Sequence, residues 1–356
     1  MTEAVALSEV RDELHRDLLR FVRGGVGVFE ALALRVIAYQ RAALPAFSRL
    51  CGDKAIGHWS EAPLVPTELF RELDLCSAPE VSGQVVFRTS GTTHGKRGYR
   101  RVPDLTLYDA AMAEPFIANV LGGDRTRRRW VSLIPRSDVM KDSSLSHMVS
   151  ALAEPLSSES YWAMDRHGLD VEVALRGLNE GFGAGDEPVV LLTTAFALVE
   201  LIEQAKYLVR LAPGSRVMVT GGFKGKKEPI AERELFAMIK KKLGVPPERV
   251  VSEYGMTELS SQAYGVGLGP AQKAELRPMS TLRFAIVDPS SGTLMSEGQS
   301  GLVACFDLLN LDNVSFILTS DVGRLDGGAL TLEGRLPGAV ARGCGLTAEE
   351  LIAKVG

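Results

Sequence analysis

Phe87-Arg88-Thr89-Ser90-Gly91-Thr92-Thr93-His94-Gly95-Lys96-Arg97-Gly98 gathers hydroxyls, glycines and cations into a single turn. The residues before it, Val85, Val86 and Phe87, form a short β-favouring run. Glycine lets backbone N–H groups converge on an anion without interference from a Cβ. Ser90, Thr92 and Thr93 add hydroxyl donors, and Lys96 and Arg97 add positive charge, so the stretch reads as a phosphate-gripping loop after a strand. It is not a Walker loop, whose glycines stand further apart and whose lysine is followed by Ser or Thr. Here Gly91 and Gly95 enclose only Thr92, Thr93 and His94, and Arg97 follows Lys96. Taken alone, the loop fits a Gly/Thr-rich surface turn equally well.

Working outward, the 356 residues suffice for one large domain or two to three subdomains. A formal net charge of -4 gives no electrostatic case for nucleic acid as the main partner. Apolar residues are dispersed, without the run of about 18 that membrane insertion requires. Met1-Thr2-Glu3-Ala4 lacks the features of a signal peptide, so a soluble cytoplasmic protein is expected. The four cysteines, Cys51, Cys76, Cys305 and Cys344, have no Cys-x-x-Cys spacing, and the five histidines form no metal-type pair. A protein-built metal site is not expected.

Upstream of the loop, Leu7, Val10, Leu14, Leu18 and Val22 recur at helical spacing, and 29–47 continue similarly, predicting two packed helices. Downstream, Pro103-Asp104 opens a helix to about 121, which Gly122-Gly123 ends. The basic run 125–129 reads as a solvated loop before a buried strand at 130–134. Strands at 189–194 and 216–220 alternate with helices at 195–211 and 228–243, the latter with Lys240, Lys241 and Lys242 near its C-terminus. This rhythm predicts a mostly parallel sheet covered on both faces, with ligands beyond the carboxyl ends of its strands. Loops at Thr89, Thr193, Gly221 and Tyr254 each follow a strand and are expected to converge there. From about 282 onward, short strands at 282–288, 301–307 and 315–319 separated by Asn/Asp-rich turns predict a smaller antiparallel unit.

Two further strings accompany the loop: Ser252-Glu253-Tyr254-Gly255-Met256-Thr257-Glu258 and Thr319-Ser320-Asp321-Val322-Gly323. In this order the three resemble the adenylate-forming superfamily of acyl-CoA synthetases, luciferases and adenylation domains, and Glu333-Gly334-Arg335 resembles the start of its hinge motif. The resemblance is closer to the acyl-protein synthetase branch, the fatty-acid-activating component of bacterial luminescence fatty acid reductase. It rests also on Ser143-Ser144-Leu145-Ser146-His147-Met148, Thr193-Thr194-Ala195-Phe196, Thr220-Gly221-Gly222-Phe223-Lys224-Gly225 and Arg342-Gly343-Cys344, and spans roughly 60 to 350. The chain departs from the wider superfamily in ending at Gly356, which leaves no room for the usual C-terminal lid and its lysine. Leu336-Pro337 also stands where the hinge carries an acid.

The resemblance implies an α/β fold: a mostly parallel core of the adenylate-forming N-terminal type over 1–275, a β-rich subdomain over 276–335 and a tail over 336–356 carrying Cys344. It implies ATP and Mg²⁺ as cofactors. Thr89, Ser90, Gly91, Thr92, Thr93 and Lys96 would hold the phosphates, Thr257 would touch the α-phosphate and Glu258 would ligate Mg²⁺. Tyr254 would lie against adenine, Gly221, Gly222, Gly255 and Met256 would also bind the cofactor, and the acyl pocket would be lined from around His147, 193–198, 221–223 and 255–256. Asp321 would accept from the ribose hydroxyls, as suits an ionised carboxylate, with Arg335 close by. Singly, Glu258 also fits a helix-capping acid, Asp321 a turn former and Tyr254 a packing aromatic. His147 fits a core histidine or a carboxylate-orienting residue.

Cys344 lies between Gly343 and Gly345, with Arg342 two residues away to favour its thiolate, although an ordinary buried cysteine is the plain alternative. In the branch it resembles, a cysteine this near the C-terminus accepts the acyl group. The expected activity is ATP-dependent activation of a small-molecule carboxylic acid, fatty or aryl, with transfer to Cys344 and on to a reductase, carrier protein or CoA. The alternatives are a ligase that uses an external thiol and a non-catalytic nucleotide-binding subunit of a larger complex.

Overall fold

A computed structural model describes residues 3–25, 27–89, 96–179, 187–205, 210–221 and 230–336. The chain divides into two compact units that are not contiguous in sequence: Met1–Ala111, Thr257–Ser261 and Pro278–Gly356 make the first, Met112–Met256 and Gln262–Arg277 the second. This division cuts across the expected 1–275 and 276–335 segments. The reason lies in strand pairing, since Val65–Pro66 runs parallel to Phe316–Asp326, with Val65 opposite Ile317.

In the second unit, the strands Val250–Tyr254, Arg216–Thr220, Val189–Thr194, Arg128–Ser132 and Ser157–Trp162 lie side by side and all run parallel, and Ala263–Val266 joins Val250–Tyr254 antiparallel. Val189, Val190, Leu191, Leu192 and Thr193 are all buried, so both faces of the sheet are covered. One face packs on the helices Val171–Asn179, Ala195–Gln204 and Glu232–Leu243. The last of these ends where Gly244 takes φ 73°, a conformation that favours glycine.

The basic run departs from the solvated loop expected of it. Arg128 and Arg129 begin a strand whose continuation, Trp130-Val131-Ser132, is buried. Arg128 pairs with Asp124, Arg125 with Glu114, and Arg127 donates to the Ser157 carbonyl. Burying each large apolar side chain stabilises by about 1.5–3 kcal/mol, against about 0–1 for such surface pairs. The apolar half of the segment therefore sets its place, and the arginines follow.

The first unit holds an antiparallel arrangement of Leu282–Val287, Ser300–Asp307, Phe316–Asp326 and Ala329–Arg335, as the change of rhythm after 282 predicts. Three N-terminal helices, Glu3–Val22, Phe29–Ala43 and Pro45–Cys51, belong to it; the expected second helix is broken at Pro45. They are tied to the loop 308–315 by polar contacts. Arg11 grips Asp312 with Nη2 at 2.7 Å and Nε at 3.0 Å, and the fully buried Gln40 donates to the Asn310 carbonyl at 2.8 Å.

Candidate functional site

The strand before the glycine-rich loop is one arm of a hairpin, Val85–Arg88 paired antiparallel with Tyr99–Val102. It belongs to the first unit, not to the parallel sheet, so of the four strand-end loops expected to converge on one sheet only those at Thr193, Gly221 and Tyr254 share it. The physical reason is that the apolar run 85–87 is too short to be buried on both faces: Val85 and Val86 are only half-buried. The base of the loop is closed by Thr89 N donating to the Gly98 carbonyl at 2.9 Å, Gly98 N to Thr89 Oγ1 at 3.0 Å, and Arg97 Nε to the Thr89 carbonyl at 2.6 Å. Ser90, Gly91, Thr92 and Thr93 lie outside the described residues. Lys96 is exposed and pairs with Glu72 at 3.3 Å.

In the second unit, Thr220 and Glu253 close neighbouring strands. Thr220 Oγ1 donates to Glu253 Oε2. Burial pushes the Glu253 carboxyl up to about 7 against the opposing pull of that hydrogen bond, so near neutrality the acid before Tyr254 is divided between its neutral and ionised forms. Its Oε1 occupies the space a Cβ on Gly255 would need, 2.5 Å away, which is why the motif has glycine there. Gly221 is exposed with φ 67°, Tyr254 is buried and Met256 half-buried; Gly222 lies outside the described residues.

His147 rides on the helix Ser144–Leu156, whose first turn Ser143 caps by accepting from Ser146 N at 3.1 Å. It lines a cleft of about 450 Å³ in the second unit with Arg136, Ser150 and Trp162. The Arg136 guanidinium lies 5.8 Å from the centre of the Trp162 ring.

The unit boundary falls inside the Tyr-Gly-Met-Thr-Glu string, between Met256 and Thr257. Within the first unit, Thr257–Ser261 is held through its backbone. Arg100 Nη1 donates to the Leu259 carbonyl at 2.8 Å and the Thr257 carbonyl at 3.3 Å, while Nη2 donates to Ser260 Oγ. Asn310 Nδ2 donates to the Glu258 carbonyl at 2.8 Å. Asp307 accepts from Ser260 N at 2.7 Å, Ser261 N at 2.8 Å, Ser261 Oγ at 2.7 Å and Leu309 N at 2.9 Å. Thr257 is thereby left half-buried, with Glu258 buried beside it.

Asp321 and Arg335 face each other across neighbouring strands of the same unit, with Arg335 Nε 3.3 Å from Asp321 Oδ1. Asp321 N donates to Thr319 Oγ1 at 3.1 Å, and the Thr-Ser-Asp string lies within the strand Phe316–Asp326 and not in a turn. Cys344 lies outside the described residues. Among the described residues no group of three or more His, Cys, Asp or Glu could hold a metal ion. A divalent cation at Glu258 would rely on one carboxylate, waters and a ligand's phosphates, which is how Mg²⁺ is usually held, so the residues present fit it.

Sequence reasoning missed Arg100, Asp307 and Asn310, and it quoted Glu253 without a role. Arg100 and Arg101 follow Lys96 and Arg97 as though part of an exposed basic patch, yet they are 3% and 6% exposed. The one available signal was that Arg100 and Arg101 sit in a strand-forming run that ends in Val102.

No family model matches this sequence, and no curated protein matches it. Solved structures do match the fold. ATP-bound MatB from Rhodopseudomonas palustris superposes with a TM-score of 0.51 at 16% identity, covering 70% of this chain and 47% of that one. An ATP-bound chimera of that MatB with BclM gives 0.51 at 15%, with the same coverage. The chain thus spans about half the length of either protein. Over seven-tenths of its own length, it has the α/β fold of the N-terminal core of adenylate-forming enzymes.

Proposed function

We propose that this chain activates a carboxylic acid with ATP and Mg²⁺ and passes the acyl group through Cys344 to a partner, as an acyl-protein synthetase. The observation that carries the reading is the Thr257–Ser261 segment, whose backbone is held by three buried side chains beside a buried Glu258 on the fold of adenylate-forming enzymes. The carboxylate oxygen attacks the α-phosphorus, the bond from phosphorus to the bridging oxygen breaks, and pyrophosphate departs. Two anions must meet, so the protein has to spread charge over donors it holds in place. Thr257 supplies a hydroxyl to the α-phosphate, and Ser90, Thr92 and Thr93 supply hydroxyls to the outer phosphates, between Thr89 and the residues Arg97 and Gly98 that are hydrogen-bonded to it. Tyr254 lies against adenine, and Asp321, oriented by Arg335, accepts from the ribose hydroxyls. Mg²⁺, when bound, neutralises phosphate charge, with Glu258 as its protein ligand. The Cys344 thiolate then attacks the acyl carbon and AMP leaves with the oxygen, giving a thioester. His147 in its cleft beside Arg136 orients the incoming carboxylate.

Intact-mass measurement after incubation with ATP, Mg²⁺ and a panel of fatty and aromatic acids tests this. One acyl mass is expected on the wild type, none on Cys344→Ala, and none on Asp321→Ala. Pyrophosphate release with no acyl-enzyme selects transfer to an external thiol such as CoA or a carrier protein. Nucleotide binding with no pyrophosphate for any acid selects a non-catalytic subunit.

A further inference from the structure

Arg100 stands in a different position from Lys96, four residues before it. Lys96 is exposed, whereas the Arg100 guanidinium is buried; its Nη1 donates to the carbonyls on either side of Glu258, those of Thr257 and Leu259, and its Nη2 to Ser260 Oγ. Its Nε finds no partner among the described residues, so the side chain is kept at a desolvation cost that an apolar residue would not incur. Asn310 takes the remaining carbonyl of the three, that of Glu258, and its Oδ1 accepts from the same Ser260 hydroxyl that Arg100 contacts. Asp307 takes the two amides that follow. The backbone of five consecutive residues is thus gripped by side chains from distant positions, in addition to the burial of Leu259, Ser260 and Ser261, and this fixes the points from which the Thr257 and Glu258 side chains leave the chain. Arg100 also lies in the strand Tyr99–Val102 that leaves the glycine-rich loop, two residues after Gly98, whose amide and carbonyl close that loop.

We infer that Arg100, with Asn310, is a positioning residue for ATP·Mg²⁺. It fixes the carbonyls around Glu258 so that this carboxylate meets the cation, and it ties that segment to the strand leaving the phosphate loop. The inference rests on the nucleotide reading of the site but not on the acyl substrate or on Cys344. A residue that merely stabilised the first unit would lower the unfolding midpoint and leave the metal dependence of nucleotide binding alone. A positioning residue changes that dependence in a folded protein.

The test is calorimetric titration of ATP into the full chain at a series of Mg²⁺ concentrations, with unfolding midpoints recorded alongside. Arg100→Lys keeps the charge and loses the fork. Asn310→Ala removes only the donor to the Glu258 carbonyl and serves if the lysine variant does not fold. Ile286→Val trims a buried side chain of the same unit, away from the site, as a control for lost stability. The expected result is that Mg²⁺ tightens ATP binding in the wild type and the control, and that this gain falls at least 10-fold in Arg100→Lys and in Asn310→Ala. A gain within 2-fold of wild type in whichever of the two variants folds overturns the inference. A wild type that binds no ATP at any Mg²⁺ concentration overturns the nucleotide reading itself and the inference with it.

Discussion

Asp307 and Glu253 are both carboxyls in the interior, one in each unit, and their surroundings are opposite. Asp307 is met by three backbone amides and a hydroxyl; all four donors pull its carboxyl down, yet burial, the larger effect, still holds it above the ordinary value. Glu253 is met, among the described residues, by the Thr220 hydroxyl alone, and burial prevails there too, so the two differ in the number and kind of their donors. The first is built to hold a loop. The second is a strand-end acid that keeps its proton up to about pH 7. Burial alone therefore says little about what a buried carboxyl does, and the number and kind of donors decide it.

The same isosteric change should act with opposite sign at the two positions, and the larger effect is at Asp307. Asp307→Asn replaces one acceptor oxygen with an amino group that points at N–H or O–H donors. A loss of about 2–4 kcal/mol in denaturant unfolding of the first unit is expected. A loss below about 1 kcal/mol would mean that the four donors find water, and the contrast would fail.

Glu253→Gln should be neutral or stabilising, and its effect should depend on pH. The folded-state carboxyl titrates at about 7 against an ordinary 4.5, so the folded protein binds the extra proton. The contribution is complete below about 4.5 and is lost as pH rises through about 7, a fall of about 3 kcal/mol by linkage. Unfolding free energy measured from pH 4.5 to pH 8 should show that fall in the wild type and not in the glutamine variant. A flat wild-type profile would mean that burial does not hold the Glu253 carboxyl above its ordinary value.

Gly255→Ala sharpens the contrast at smaller scale. The new Cβ would crowd Glu253 Oε1 and force the carboxyl off Thr220, for a cost of about 1–2 kcal/mol that Glu253→Ala in the same chain should relieve. Smallest of all is Lys96→Ala. Its pair with Glu72 is exposed, so thermal stability should change by under about 0.5 kcal/mol. A drop of 10-fold or more in ATP affinity for the same variant would separate a ligand-facing cation from a structural one.

What the sequence disclosed and what it hid follow the same division. Strands at Val189–Thr194 and Arg216–Thr220 were legible because their burial is written in consecutive residues. The glycine-rich loop, the Tyr-Gly-Met-Thr-Glu string and Asp321 were legible because each motif is local. The cage around Thr257–Ser261 was not, since it is assembled from positions 100, 307 and 310, far apart in the chain and held together by side-chain geometry. The burial of Glu253 was hidden for a related reason: the partner hydroxyl, that of Thr220, lies 33 residues away. The parallel sheet was predicted, but assigning the Thr89 loop to it failed, because a strand of four residues gives no sign of which sheet it joins.

The interleaved order of the units bears on how the chain emerges during synthesis. Residues 112–277 can complete the parallel sheet of the second unit while everything beyond is still untranslated, apart from the excursion at 257–261. The N-terminal 111 residues have no such freedom. Val65 waits for Ile317 and Arg11 for Asp312, a separation of 301 residues, and until those arrive the apolar faces around Leu14, Leu18 and Val36 lack their final cover. Contacts so distant in sequence close slowly and leave sticky surface exposed in the interval. On the ribosome, the earlier of these segments is the later to settle, and a ribosome stalled before Phe316 is added would hold a finished second unit and an unfinished first.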